Sequence, residues 1–306
     1  MSAGSVVIVD GREGDFVVKT IDDHELGVRL WGDQNGAPIF WLHPRPGSRM
    51  LRDPSDAYVQ QGLAVCTYDR PGYGLSTRRT GRTLSQTVDD VSAVADFLGW
   101  ERFAVAGYSG GSGPAMAVAA LMADRAIRCA VVAGEAPPLE DEIQALMPEE
   151  ELAYLDVMVR ADETQLTREF EEFVEWAAAG MPGADITDPD VRTMFDEVAL
   201  EAGRQGAAGY IDDSIAVGRD WGFSIAEIEV PTKIVAATGD TDFMHANARW
   251  LADHIPGAEL LWRPGGHVAS GGNDEQGLFA WLGHGFFPMH PSHPSHPSRT
   301  DPPIPT

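Results

Sequence analysis

The stretch from Arg102 to Gly113 reads RFAVAGYSGGSG and is decisive for the fold class. Its first half is an apolar run with the length of a buried strand, and the alanine-rich segment 114–123 that follows has the composition of a helix. Between them lies a G-x-S-x-G turn, in which Gly107 and Gly111 leave room for the strand and the helix to approach each other. The pattern predicts that Ser109 projects from a sharp turn at the end of a strand.

A serine hydroxyl is a weak nucleophile unless a base removes its proton, so a serine in this position needs partners elsewhere in the chain. An apolar run at 232–238 precedes the sequence GDTD at 239–242, and a second run at 259–263 precedes PGGH at 264–267. The order Ser, Asp, His, with each residue just beyond a strand, predicts a triad in which His267 is the base.

These residues, together with WLHPRPGSR at 41–49 and YDRPGYG at 68–74, resemble the α/β-hydrolase-fold enzymes, and among them a bacterial esterase-like and lactonase-like group. The resemblance covers roughly residues 15–285. It implies an α/β fold with a mostly parallel central sheet and flanking helices. It also implies that Ser109 is the nucleophile of a serine hydrolase and that His267 takes its proton.

Two aspartates compete for the third position of the triad. The family pattern G-x-x-D matches Asp242, whereas Asp240 lies one residue after Gly239 and is expected to cap the loop. The resemblance therefore favours Asp242 as the residue that orients His267.

The resemblance further implies an oxyanion hole formed by the backbone N–H groups of Gly110 and Arg45, the latter in the loop after the strand 38–42. Pro44 stands where the family has glycine, which makes this loop stiff, and a cis bond at Pro44 is one way to accommodate it. The Arg45 side chain is expected either to pair with one of the many carboxylates or to reach the pocket mouth and select a carbonyl-rich or anionic substrate.

Nearly a hundred residues separate the strand 127–133 from the strand that begins near Thr232. Their periodicity predicts helices at 149–160, 164–179, 189–202 and 207–216. We therefore expect a core of residues 1–134 and 231–287, with a helical lid at 135–230 inserted after the sixth core strand. Residues 288–306 are rich in Pro, Ser and His and are predicted to form a disordered tail.

Substrate contacts are predicted for Glu135, which follows the strand 127–133, and for Tyr154 and Trp221 in the lid. Glu135 has the alternative of a solvated hinge residue. For the lid aromatics the alternative is packing between lid and core, because aromatic residues at helical spacing usually hold helices together. The aromatic and methionine candidates for the pocket wall are Tyr154, Met158, Phe170, Phe173, Trp176, Phe195, Tyr210 and Trp221.

The composition limits the partners of the chain. A formal net charge of -25 disfavours nucleic acids and anionic membranes, so a small-molecule substrate is expected. Residues 1–10 lack the features of a signal peptide, and Cys66 and Cys129 lie within apolar runs, which together indicate the cytoplasm. No cofactor and no metal are expected, although the tail histidines His290, His293 and His296 have the alternative of weak metal binding.

The sequence thus predicts a serine hydrolase that cleaves an ester or lactone of a small to medium apolar substrate through an acyl-enzyme. Amide cleavage stays open. Two rivals use the same fold differently. One is a biosynthetic enzyme that catalyses elimination, cyclisation or C–C cleavage, to which the Pro44 loop and Glu135 give weight. The other is a ligand-binding signalling protein with slow turnover. The oligomeric state cannot be inferred from the sequence.

Overall fold

The computed structural model describes residues 14–55, 57–268 and 277–286. The predictions for the N-terminal segment 1–10 and for the tail 288–306, including its histidines, lie outside the described residues. Within the described part, no helix is both long and apolar enough to cross a membrane.

An eight-stranded sheet forms the centre of the molecule, with the strand order β1-β2-β4-β3-β5-β6-β7-β8. β1 and β2 are antiparallel to their neighbours, and all the other pairs are parallel. The strands are β1 (Asp15–Lys19), β2 (Glu25–Gly32), β3 (Ala37–Leu42), β4 (Leu63–Tyr68), β5 (Phe103–Tyr108), β6 (Ala126–Val132), β7 (Thr232–Ala237) and β8 (Glu259–Arg263).

The central strands are buried on both faces. Every residue of β4 (LAVCTY) and of β5 (FAVAGY) is buried, as expected for parallel strands that are covered by helices on both sides. The helices are α1 (Ala57–Gln60), α2 (Thr87–Leu98), α3 (Ser112–Leu121), α4 (Asp141–Gln144), α5 (Glu149–Arg160), α6 (Glu163–Ala178), α7 (Pro189–Ala202), α8 (Ala208–Val217), α9 (Asp242–His254) and α10 (Gly277–Gly283).

Two apolar clusters lie on the two faces of the sheet. One joins the strands to α2, α3 and α9 and extends into α5 and α8, and the other joins them to α1, α7 and α10. Cys66 and Cys129 are both buried in the first cluster, as free thiols. Burial raises the pKa of the Cys129 thiol to about 12.

The four helices predicted between the sixth and seventh strands are present as α5 to α8, with ends within one residue of the prediction. They are tied to the core by polar contacts as well as by apolar packing. Arg49 donates to Glu201 of α7 at 2.6 Å, and Arg52 donates to Glu197 of the same helix at 2.7 Å. Every residue of α8 after Ala208 is buried.

Candidate active site

The residues of interest follow the carboxyl ends of neighbouring parallel strands and therefore meet at one edge of the sheet. Arg45 follows β3, Ser109 follows β5, Glu135 follows β6, Asp240 follows β7 and His267 follows β8.

Close backbone packing builds the turn that carries Ser109. β5 ends at Tyr108, and Ser109 follows with a φ of 51°, in the left-handed region that non-glycine residues rarely adopt. A side chain at Gly107 would collide with the Gly111 carbonyl, and one at Gly111 would collide with the carbonyls at the end of β3. Only glycines allow this approach, and the turn leaves Ser109 half-buried at the strand end.

His267 lies against the serine. Its Nε2 atom is 2.9 Å from Ser109 Oγ, and its side chain is 33% exposed. The Tyr108 hydroxyl donates to the His267 carbonyl at 3.0 Å, and the two rings are 5.8 Å apart. The residue before the serine therefore also fixes the loop that carries the histidine.

The aspartate at the histidine is Asp240, whose Oδ2 atom is 2.7 Å from His267 Nδ1. The prediction that Asp242 holds this place is wrong. Asp242 is exposed and is the first residue of α9, where Thr241 caps the helix by accepting from the Met244 amide at 3.2 Å. Because β7 ends at Ala237 and α9 begins at Asp242, only residues 238–241 remain in the loop, and Asp240 is the acidic residue among them.

The environment of Asp240 keeps its carboxyl ionised. Partial burial by itself raises the pKa of Asp240, but the hydrogen bond from His267, the charge on that ring and the Thr241 amide together lower the pKa below its usual value. An ionised Asp240 accepts the Nδ1–H of His267. In the neutral ring Nε2 is then unprotonated and accepts the hydrogen bond of the Ser109 hydroxyl.

Two backbone amides adjoin the serine. A Cβ atom placed on Gly110 would lie 3.0 Å from the Arg45 backbone nitrogen, so the two residues are in contact. Within the described part of the chain, neither N–H group has a hydrogen-bond acceptor. A pair of free donors beside a nucleophile is the arrangement that a developing oxyanion requires. The chain has a cis peptide bond between Arg45 and Pro46, and not before Pro44.

A buried ionic cluster holds the loop that carries Arg45. Arg70 donates to the carbonyls of His43 and Pro44 at 2.5 and 2.9 Å. Its guanidinium is in turn held by Asp213 of α8 at 2.6 Å, and Arg82 pairs with the same carboxylate. Burial by itself raises the pKa of Asp213, but the two arginines hold it well below its usual range.

His43 completes this support. Its ring is fully buried, Nδ1 lies 2.8 Å from the Pro44 carbonyl, and Nε2 accepts from the Arg70 amide at 3.1 Å. Burial and the charge of Arg70 lower the pKa of His43 well below its usual value, so the ring is neutral. Arg70, His43 and Asp213 are functional residues that the sequence alone does not reveal, because only folding brings the YDRPGYG motif against a helix more than a hundred residues away.

The side chain of Arg45 is buried, with 6% of its surface exposed, and its guanidinium faces Glu135. Nη2 lies 3.3 and 3.4 Å from the two carboxylate oxygens. The backbone of Glu135 donates to Ser112 Oγ, which donates to the Ser109 carbonyl, so Glu135 is linked to the serine turn. The structure therefore brings Arg45 and Glu135 together beside Ser109.

The two aromatic residues predicted to contact substrate lie in different surroundings. The Tyr154 ring is 5.9 Å from the guanidinium carbon of Arg45. The Trp221 indole donates to the Val217 carbonyl at 3.1 Å and packs beside Gly113 and Phe223 in the core. Tyr154 thus lies near the site, whereas the contacts of Trp221 are those of a packing residue.

An open cavity of about 690 Å³ lies beside the triad. Asp240 and His267 form part of its wall, and Trp176 with the segment 182–185 forms another part. Within the described residues, no group of three or more His, Cys, Asp or Glu side chains is arranged to hold a metal ion.

Comparison with known proteins gives consistent matches. The family model described as serine aminopeptidase, S33, matches residues 48–266. A bifunctional esterase/perhydrolase from Acinetobacter calcoaceticus is 27% identical over 264 residues, which covers 81% of this chain and 91% of that protein. A non-heme haloperoxidase from Rhodococcus erythropolis is 26% identical over 258 residues, which covers 81% of this chain and 90% of the relative.

Among solved structures, the enol-lactonase from Burkholderia xenovorans LB400 superimposes with a TM-score of 0.61 at 24% identity. The match covers 83% of this chain and 93% of the enol-lactonase. At this identity the likeness is one of fold, and it agrees with the mostly parallel sheet and flanking helices described above.

Proposed function

Because the chain belongs to the serine aminopeptidase S33 family of α/β hydrolases, we propose that it is a serine hydrolase that cleaves an ester or a lactone through an acyl-enzyme. One observation carries the proposal. A continuous line of hydrogen bonds runs from Asp240 to His267 at 2.7 Å and from His267 to Ser109 at 2.9 Å. Its last member lies beside the free amides of Arg45 and Gly110.

In the first half of the reaction, Ser109 Oγ attacks the substrate carbonyl carbon while its proton passes to His267 Nε2. The carbonyl oxygen becomes an oxyanion and accepts hydrogen bonds from the N–H groups of Arg45 and Gly110. When the carbonyl re-forms, the C–O bond to the alcohol breaks and the alcohol oxygen takes the proton from Nε2. The acyl group is then bonded to Ser109.

Water completes the cycle. His267 Nε2 takes a proton from a water molecule, whose oxygen attacks the acyl carbon, and the same proton returns to Ser109 Oγ when the acid is released. Throughout both halves Asp240 holds the ring with Nδ1 protonated and stabilises the imidazolium.

We favour esters and lactones over peptides for a reason that lies near the nucleophile. An aminopeptidase must bind the free ammonium group of its substrate, which requires a carboxylate that is not already neutralised. Glu135 is the carboxylate linked to the serine turn, and Arg45 opposes its charge. In this proposal helices α5 to α8 act as the lid that selects the substrate.

The acyl-enzyme admits a second reaction. The Acinetobacter relative is named both an esterase and a perhydrolase, and in perhydrolysis hydrogen peroxide takes the place of water. Attack of the peroxide oxygen on the acyl carbon would release a peracid. Peracid formed from an ester and hydrogen peroxide by the wild-type protein, and absent with Ser109→Ala, would establish this activity.

The direct test is a substrate panel of 4-nitrophenyl esters from acetate to octanoate, unsubstituted γ- and δ-lactones, and amino-acid 4-nitroanilides. We expect saturable ester and lactone hydrolysis that Ser109→Ala reduces by about 10⁴-fold or more, with far slower release of nitroaniline. Absence of turnover on the whole panel would favour the non-hydrolytic rivals. Equal turnover by Ser109→Ala would exclude Ser109 as the nucleophile.

A further inference from the structure

The guanidinium of Arg45 has hydrogen-bonding capacity that the protein does not use. Its Nη1 atom is buried and has no partner in the part of the chain that the structure describes. The side chain is only 6% exposed, so bulk water does not reach the group freely. A buried guanidinium donor without an acceptor is costly, which makes this atom a candidate for contact with a ligand.

The carboxylate that pairs with Arg45 is held loosely. The distance from Nη2 to Glu135 is 3.3 Å, whereas Arg49 meets Asp69 at 2.7 Å and Arg70 meets Asp213 at 2.6 Å. Charge-assisted hydrogen bonds of this kind are typically 2.7–2.9 Å long. Glu135 therefore balances the charge of Arg45 without saturating its donors.

The neighbouring hydroxyls are already engaged with one another. Tyr154 and Tyr210 share a hydrogen bond of 2.8 Å, and Tyr154 also lies 3.3 Å from Ser214 Oγ. The Tyr210 hydroxyl lies 3.4 Å from a carboxylate oxygen of Glu169. These groups line the neighbourhood of Arg45 but do not satisfy Nη1.

The position of Arg45 relates its side chain to the reaction. Its Cβ atom lies 2.5 Å from where a Cβ on Gly110 would stand, so the side chain begins beside the two amides to which the proposed function assigns the oxyanion. A substrate carbonyl held by the two amides therefore lies at the base of the same side chain. A second polar group of that substrate, a few bonds away, can reach the guanidinium.

Charge determines which polar group fits. Glu135 carries a negative charge beside Arg45. Glu151 of α5 is a further acid, and burial and the charge of Glu135 raise its pKa. A substrate carboxylate would be repelled by these acids, and a substrate ammonium would be repelled by Arg45. A neutral oxygen is repelled by neither charge and can still accept a hydrogen bond from Nη1.

We propose that Arg45 is a specificity-determining residue that binds a second, neutral carbonyl oxygen of the substrate through Nη1, a few bonds from the ester or lactone carbonyl. This inference rests on the proposed function, since it assumes that substrate is held at the Arg45 and Gly110 amides. It narrows the substrate class to oxo-substituted or acylamino-substituted esters and lactones.

Matched esters test the proposal. The 4-nitrophenyl esters of 4-oxopentanoate and 5-oxohexanoate are compared with those of pentanoate and hexanoate, and on the alcohol side acetoxyacetone is compared with propyl acetate. We expect kcat/KM to be about 10-fold or more higher for the oxo member of at least one pair, because a hydrogen bond to a charged donor is stronger than one between neutral groups. No advantage in any pair overturns the proposal.

The variant Arg45→Met keeps the backbone amide and an unbranched stem of similar length to the aliphatic part of arginine, but removes the guanidinium donors. The readout is the ratio of kcat/KM for the oxo ester to that for the plain ester, because this ratio cancels any change in the oxyanion hole. We expect the ratio to fall to about 1 with Arg45→Met and to recover in part with Arg45→Lys. A ratio that Arg45→Met leaves unchanged overturns the proposal.

Charged esters test the choice of a neutral oxygen. Mono-4-nitrophenyl glutarate and the 4-nitrophenyl ester of 4-(trimethylammonio)butanoate should both be poorer substrates than the 5-oxohexanoate ester. Glu135→Gln should improve the glutarate ester relative to the hexanoate ester, since it removes one of the opposing charges. A wild-type preference for the glutarate ester would overturn the neutral acceptor in favour of an anionic one.

Failure of this inference and failure of the proposed function can be told apart. Hydrolysis of the plain esters that depends on Ser109, with no oxo preference, would reject only the inference. If no ester is hydrolysed, the inference is tested by ligand binding, measured as a shift in Tm. Methyl 4-oxopentanoate should raise the Tm of the Ser109→Ala protein more than methyl pentanoate does. Adding Arg45→Met should abolish this difference. Equal Tm shifts would reject the inference without reference to catalysis.

Discussion

At the scale of single residues, the partner of His267 determines which ring nitrogen carries the proton. Asp240 is 5% exposed and accepts from Nδ1, which leaves Nε2 to accept from Ser109. An amide in place of this carboxylate can present its NH2 group to the ring, and it would then favour the tautomer with the proton on Nε2. That tautomer cannot take the proton of Ser109.

Asp240→Asn should therefore lower kcat for ester hydrolysis by about 10⁴-fold, while Asp242→Asn should have little effect. The two variants are matched, because both remove one carboxylate from the same four-residue segment. Their kcat values and thermal midpoints are to be compared side by side. The assignment of Asp240 fails if Asp242→Asn is as damaging as Asp240→Asn while both proteins remain folded.

The sequence was sufficient to predict that Ser109 and His267 lie together, but not which aspartate is the partner of His267. The serine turn requires glycines at fixed positions, which the sequence motif shows, and the structure has the same turn. The aspartate depends on where α9 begins. Thr241 followed by an acidic residue is a helix start signal that would have placed Asp242 in the first helical turn.

At the scale of elements, the loop after β3 is held by Arg70 from the end of β4 and, through Arg70, by Asp213 from α8. A loop with two prolines has little freedom of its own, and these contacts fix where the Arg45 amide lies. Asp213 is thus expected to act as a positioning residue for the oxyanion hole, at a distance from the reacting atoms.

Asp213→Asn should lower the free energy of unfolding by about 3–5 kcal/mol, because it leaves Arg70 and Arg82 buried without their counter-charge. It should also lower kcat with little change in KM, since the oxyanion forms only after substrate has bound. Urea unfolding and steady-state kinetics measure the two effects.

The matched control is Asp212→Asn, one residue earlier in α8. Asp212 pairs with Arg78, whose side chain is 36% exposed and can turn to water when the pair is broken. We expect a smaller loss of stability there and an unchanged kcat. If Asp213→Asn lowers stability but leaves kcat intact, the cluster does not position the loop.

The elements themselves were predictable to different degrees. The apolar runs of β3 to β8 and the helical periods of α5 to α8 are strong signals, and the structure has helices there within a residue of the predicted ends. β1 (DFVVK) and β2 (ELGVRLWG) gave no such signal, since each mixes charged and apolar residues at the antiparallel edge of the sheet. β1 and β2 pair with each other as a local hairpin, and the pairing of β2 with β4 joins segments that are more distant in sequence.

At the scale of the whole molecule, the chain has many more acidic than basic residues, and some of its carboxyl groups are buried. Asp90 of α2 is buried, and this burial, only partly offset by Arg79 at 3.2 Å, raises its pKa from 3.8 to about 6. The folded protein therefore binds this proton more tightly than the unfolded chain does. The contribution of Asp90 to stability is present in full below about pH 4 and is lost as the pH rises through about 6.

Wild-type protein should thus lose up to about 3 kcal/mol of unfolding free energy, relative to Asp90→Asn, between pH 4 and pH 8. The measurement is urea unfolding of both proteins across this range, and the difference between them isolates Asp90 from the other acids. Asp89→Asn, at the exposed neighbouring position, is the control and should run parallel to wild type. A wild-type to Asp90→Asn difference that does not vary with pH would contradict the prediction.

The central claim is that Ser109 is an activated nucleophile, and covalent labelling with a fluorophosphonate followed by peptide mapping tests it most directly. Ser112 is the competing hydroxyl in the same turn, but it is fully buried and donates to the Ser109 carbonyl. The account predicts an adduct on Ser109 in the wild-type protein, slower labelling in His267→Gln, and none in Ser109→Ala. An adduct on Ser112 or on any other serine, formed at the wild-type rate in Ser109→Ala, would contradict it.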